Sequence, residues 1–167
     1  MVPVARNMLA GRAKRTSLVV ATTLGGGHAA VSIYWFFGTR LLDTVGGSVE
    51  EWAVQRGLLV TAALVSVLCL KLAAVLLGVA VAQGRAGRMR VVAWVAASIL
   101  SGYGTVNTVT AQLMLHNQLA TPADASHKAL SWHAWVWDPW FMLWGLAMVA
   151  LLVTTRTRQT AMSSSPP

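Results

Sequence analysis

An all-α fold, a four-helix transmembrane bundle with antiparallel neighbours, is predicted by three features of this 167-residue sequence. It has four apolar stretches of membrane-crossing length, a charged fraction of only 11 %, and most of its cations gathered in the connections on one side. A soluble domain carries about 25 % charged residues. With 56 % hydrophobic residues, the apolar excess must face lipid, which requires no polar cover. Four helices with short connections nearly exhaust the length, so one domain is expected.

Residues 1–16 are basic and lack periodicity, and read as a cytoplasmic lead beside anionic headgroups. Ser17 to Phe37 makes the first span; its apolar run continues too far, through Tyr34-Trp35-Phe36-Phe37, for a cleavable signal peptide. Residues 38–56 form a polar loop with Arg40, Asp43, Glu50, Glu51, Arg56 and the turn pair Gly46-Gly47. The second span, Gly57 to Ala82, is interrupted only by Lys71, and residues 83–90 connect it tightly to the third. That third span, Val91 to Leu115, is the most polar, with Ser98, Ser101, Tyr103, Thr105, Asn107, Thr108, Thr110 and Gln112. A second polar loop over 116–134 leads to the fourth span, Trp135 to Thr155, and residues 156–167 read as a disordered cytoplasmic tail.

Orientation follows from charge. Nine of the 13 Lys and Arg residues lie in the lead, the 83–90 connection and the tail; the five acidic residues, Asp43, Glu50, Glu51, Asp124 and Asp138, fall on the other side. Short basic loops stay in the cytoplasm, so both termini are expected there, in a multi-pass protein of a bacterial plasma membrane. The arginine-, alanine- and valine-rich composition suits a GC-rich bacterial genome. The net charge of +8 is therefore an orientation signal and not a nucleic-acid footprint, since no recognition motif accompanies it. The lone Cys69 leaves no internal disulfide. Trp35, Trp52, Trp132, Trp135, Trp137 and Trp140 gather toward the outer side, where indole rings favour the headgroup level, while Trp94 lies at the inner end of the third span.

Two constellations carry chemistry. His28 and Lys71 lie near the middle of their spans, with Tyr103 at similar depth, Asn107 a turn further out and Ser32 a turn from His28. Ionisable groups at that depth are unfavourable by several kcal/mol unless paired, solvated or neutralised, so they face the bundle interior. A candidate polar pocket of His28, Ser32, Lys71, Tyr103 and Asn107 follows; interhelical hydrogen bonding is the plainer alternative. Asp138-Pro139 is a helix-start signal, an N-cap followed by proline at the first helical position, and the fourth helix starts there or restarts after a kink. Trp137, Trp140 and Trp144 then share one face, giving with Trp35 and Asp138 a candidate outer aromatic mouth; packing is again the plainer alternative. Gly25-Gly26-Gly27 of the first helix and the small residues Ser98, Ser101, Gly102 and Gly104 of the third suit close packing of those two helices. His116, His127 and His133 lie with Asp124 and Asp138 on the outer side, at spacings that match no metal motif, so no metal site is expected. No phosphate-binding loop, nucleophile elbow or dinucleotide fingerprint appears, and no cofactor is expected.

The runs G-H-A-A-V-S-I-Y-W-F-F-G at 27–38 and W-D-P-W-F-M-L-W-G at 137–145 resemble a family of small bacterial membrane proteins classed only as a domain of unknown function. The resemblance covers roughly 17–155 and rests on His28, Trp35, Gly38, Asp138, Pro139, Trp140 and Gly145. It implies about four spans and no particular activity. Two functions stay open: a non-enzymatic protein that binds a small apolar or amphiphilic ligand or joins a membrane complex, and an intramembrane enzyme or proton-coupled carrier built on His28 and Lys71. They part on whether His28, Lys71 and Tyr103 meet in one cavity.

Overall fold

The computed structural model describes residues 2–37, 41–46, 57–85, 87–122 and 125–163, with side chains within 8–35, 41–46, 57–85, 87–122 and 125–155. Helix α1 (Val2–Phe37) is followed by a 3-10 turn (Leu42–Thr44), α2 (Leu58–Ala82) and α3 (Arg88–Leu115). A short α4 (His127–Trp132) then runs through one π-helical turn (His133–Trp137) into α5 (Asp138–Ser163). Four stretches are long and apolar enough to cross a membrane: Met8–Trp35, Leu58–Ala82, Arg88–Leu115 and His127–Thr155. No strand occurs among the described residues. The chain is an all-α, four-span bundle. Gly38, Gly47, Glu50, Glu51, Trp52, Arg56, Asp124 and the tail beyond Ser163 lie outside the described residues.

Three boundaries differ from the sequence reading. Residues 2–16 are helical and continuous with the first span, so α1, at about 1.5 Å per residue, outreaches a hydrocarbon core of ~30 Å. The last span begins at His127, where Ser126 caps α4 by accepting the Ala129 N–H at 3.0 Å. Residues 156–163, expected to be disordered, continue α5.

The bundle is organised around α5, which packs on both α1 and α3, while α2 lies against α1 and less extensively against α3. Close packing of α1 directly on α3 is not what forms. The small residues instead open notches for α5. A Cβ on Gly104 would lie 2.6 Å from the Asp138 carbonyl oxygen, and one on Gly145 would lie 2.8 Å from Ser101 Cα. Gly25 and Gly27 admit aromatic rings: a Cβ there would meet Trp144 at 2.6 Å and Trp140 at 2.9 Å. Lipid is as apolar as a leucine side chain, so helices associate in it by such close packing. Ala21, Val81, Ala93, Ala97, Trp144, Met148 and Leu152 form the buried core, and Leu58, Leu59, Leu70, Leu76 and Val106 are turned outward.

The π turn explains how a proline sits inside the last span. The Asp138 N–H bonds to the His133 carbonyl, one residue beyond the α-helical partner. Continuing that pattern, the Ala134 carbonyl would need the N–H of residue 139, which is proline and has none. Gln112 of α3 fills the gap, its Nε2 donating to the Ala134 oxygen at 3.1 Å. Asp138 is therefore not the N-cap the sequence suggested. Its backbone is already helical, and its buried carboxylate turns back to His133.

Charge is segregated between the two ends. Arg12, Lys14, Arg15, Arg85, Arg88 and Arg90 occupy one end, and the described carboxylates, Asp43 and Asp138, occupy the other. At the arginine end, Gly84 (φ +88°) closes α2 in a Schellman turn, with the Arg85 N–H on the Ala80 carbonyl at 3.1 Å. There Arg90 donates to Thr155 Oγ1 at 3.0 Å and to the Leu152 carbonyl.

Candidate functional site

The side chains expected to form a polar pocket divide between two places. His28 and Ser32 lie one helical turn apart on α1, and Lys71 reaches them from α2, its Nζ 2.6 Å from Ser32 Oγ. The same ammonium sits 5.6 Å from the centroid of the Phe141 ring on α5, within cation–π range. His28 is 2 % exposed and enclosed by rings of α5: Phe141 at 4.1 Å between centroids, Trp140 at 5.4 Å, Trp137 at 6.4 Å and Trp144 at 6.5 Å. Neither of its ring nitrogens has a hydrogen-bond partner among the described residues, and the same holds for the indole nitrogens of Trp35 and Trp144. No described carboxylate forms an ion pair with Lys71.

The expected aromatic mouth and the His28 half of the polar pocket are thus one buried box. The tryptophans fill it and do not line an opening. Trp144 and Trp137 are buried, Trp137 Nε1 donates to the Thr44 carbonyl at 3.1 Å, and Trp140 Nε1 donates to the Leu24 carbonyl at 2.9 Å. Trp35 meets Trp137 edge-on at 5.1 Å, and Trp132 stacks on Trp137 at 5.5 Å.

Tyr103 and Asn107 point elsewhere. Tyr103 meets the far side of Phe141 edge-on, at 5.5 Å and 83°. With Asn107 it lines a cleft of about 360 Å³ between α3 and α4, roofed by Val45 and Gly46. Ala111, Met114, Ala129 and Leu130 make its apolar wall. His133 and Asp138 close its polar end, His133 Nδ1 lying 3.0 Å from Asp138 Oδ2 while Nε2 donates across 3.0 Å to the Val45 carbonyl. Beside the roof, Lys128 of α4 pairs with Asp43 in an exposed ion pair.

Sequence reasoning missed Phe141, the ring between His28, Lys71 and Tyr103. It also missed the contacts from the 3-10 segment to His133 and Trp137. Phe141 carried a usable signal, since it lies one turn after Trp137. The pairings with Thr44 and Val45 bridge some ninety residues and left no local trace. Among the described residues no three His, Cys, Asp or Glu side chains come together.

A family model described as "Protein of unknown function (DUF3995)" matches residues 25–148, most of the chain. The matched segment contains both motif runs, the aromatic box and the α3–α4 cleft. No curated protein and no solved structure matches the chain.

Proposed function

The chain belongs to the DUF3995 family, and on that premise we propose that it is a non-enzymatic multi-pass membrane protein that holds a small amphiphilic ligand in the α3–α4 cleft. One observation carries the reading: a cleft of about 360 Å³ whose wall changes from Ala111, Met114 and Leu130 to Asn107, His133 and Asp138. Its volume falls in the range of small-molecule sites, about 300–1,000 Å³, and such sites combine apolar walls with a few convergent polar groups. The tryptophans of the expected aromatic mouth are packed together, which leaves the neighbouring cleft as the space for a ligand. A carboxylate and an amide at the polar end suit a head group that donates hydrogen bonds, an amine or an alcohol.

The test compares decylamine, decanol and decanoate at equal concentration on the detergent-solubilised protein, with thermal unfolding as the readout. A ligand that binds only the folded state raises the unfolding temperature by mass action. The amine and alcohol should stabilise more than decanoate, and Asn107→Leu should diminish the difference. Equal shifts from all three amphiphiles, unaltered by Asn107→Leu, would rule the cleft out.

The same reading puts both termini in the cytoplasm of a bacterium, supported by the six described cations at one end of the bundle. A second reading keeps its own support: the buried, unpartnered His28 beside the buried Lys71 suits a proton-coupled carrier. Its test is proton flux into liposomes containing pyranine. Flux that His28→Ala abolishes favours a carrier; flux no greater than that of empty liposomes ends that reading.

A further inference from the structure

The arginine end has a cavity of its own. Between α1 and α2 lies a cleft of about 330 Å³, lined by Gly11, Lys14, Arg15 and Leu18 of α1 with Val79 and Gln83 of α2. Three observations bear on what fills it. First, its two cations have no acidic neighbour: the described carboxylates, Asp43 and Asp138, lie at the opposite end of the bundle. Second, the lining grades along the membrane normal. Lys14 and Arg15 stand at the rim, and Leu18 and Val79 lie deeper, one turn into the spans. Third, the cleft has free space beside Gly11, one turn before Lys14 and Arg15: a Cβ there would find nothing within 4 Å. Glycine within a helix is unfavourable by up to ~1 kcal/mol relative to alanine, so here an intrinsic penalty coincides with open space.

We propose that this α1–α2 cleft is a binding site for one anionic phospholipid, its phosphate held by Lys14 and Arg15 and an acyl chain lying along Leu18 and Val79. The gradation suits a molecule that is anionic at one end and apolar at the other, and the position at the membrane boundary puts the phosphate at headgroup level. Basic pockets between membrane helices hold anionic head groups in this way. Guanidinium and ammonium offer several N–H donors to phosphate oxygens, and the bond is charge-assisted. Gly11, Lys14, Arg15 and Leu18 lie outside the segment the family model matches, and Val79 and Gln83 lie within it. The site is independent of the α3–α4 cleft at the other end of the bundle.

The test is lipid retention by the intact protein in nanodiscs containing phosphatidylglycerol and phosphatidylcholine, read by native mass spectrometry after release into detergent. Lys14→Gln with Arg15→Gln should lower retained phosphatidylglycerol by roughly 5-fold per cation, roughly 30-fold together. Arg12→Gln with Arg88→Gln removes the same charge from the same end but outside the cleft, and should leave retention within about 2-fold of the parent. Gly11→Phe places a ring in the open space beside the cations at constant charge and should reduce retention as strongly as the cation pair. Inorganic phosphate, which lacks the acyl chain, should not displace the lipid at millimolar concentration. Equal loss in both charge pairs would reduce the effect to general surface attraction and overturn the proposal. So would full retention by Gly11→Phe, or displacement by phosphate alone. Helical circular dichroism matching the parent confirms that each variant is folded.

Discussion

Replacing Gln112 by leucine isolates the device that admits a proline into the last span. Ala134 is fully buried, and its carbonyl is left without a backbone donor by the π turn and by Pro139. The Gln112 amide, 3.1 Å away, is the donor it receives. A lost hydrogen bond that leaves a buried acceptor unpaired is unfavourable by about 1–3 kcal/mol, and interhelical bonds in membranes average nearer ~0.6 with a maximum near ~1.7. Gln112→Leu, close in volume, should therefore destabilise the bundle by about 1–2 kcal/mol. In a Pro139→Ala background the restored N–H supplies the Ala134 oxygen, and the same substitution should weaken the bundle by less than about 0.5 kcal/mol. The assay is reversible unfolding in mixed micelles of rising sodium dodecyl sulfate content, followed by tryptophan fluorescence, for the four proteins of the cycle. A coupling of about 1 kcal/mol is expected. Equal losses in the proline and alanine backgrounds would refute the account of the π turn.

Other substitutions probe the packing and the charges. Gly145→Leu, forced against Ser101 Cα and the Ala97 carbonyl, should destabilise the α3–α5 interface by about 1–3 kcal/mol or more in the same unfolding assay. Trp144→Ala removes the largest fully buried side chain and should weaken the bundle by about 3–5 kcal/mol, whereas Trp135→Ala, on an exposed residue, should change stability by under about 1 kcal/mol. Lys71→Met exchanges a buried cation for an apolar side chain of similar length, and should stabilise the fold by about 1 kcal/mol or more; a clear destabilisation would mean the ammonium has a favourable partner beyond Ser32. Lys128→Ala breaks the exposed pair with Asp43 and should shift stability by less than about 1 kcal/mol.

The spans were legible because lipid exposure leaves long apolar runs that need no periodicity to be recognised. Arginines, being excluded from the hydrocarbon, marked the ends of the spans. Helix pairing was not legible. Glycine and serine occur on α1, α3 and α5 alike, and which notch receives which partner depends on the aromatic rings of α5 that fill them. Asp138-Pro139 misled for a related reason. The pair carries every local feature of a helix start, and only a donor from another helix, Gln112, lets the helix run through it. The candidate site was legible as residue types: His28, Ser32 and Lys71 do lie together. Tyr103 and Asn107 were grouped with them by depth alone, and depth does not say on which side of α5 a residue of α3 stands.

The proposed ligand site can be read from the methionine methyl groups. Met114 lines the α3–α4 cleft, Met148 is buried in the core, and Met8 lies exposed on α1. In protein labelled with ¹³C at the methionine methyls, titration with decylamine should move the Met114 resonance saturably and leave Met148 and Met8 in place. A stationary Met114, or a parallel drift of all the methyl signals without saturation, would contradict an amphiphile site in the cleft.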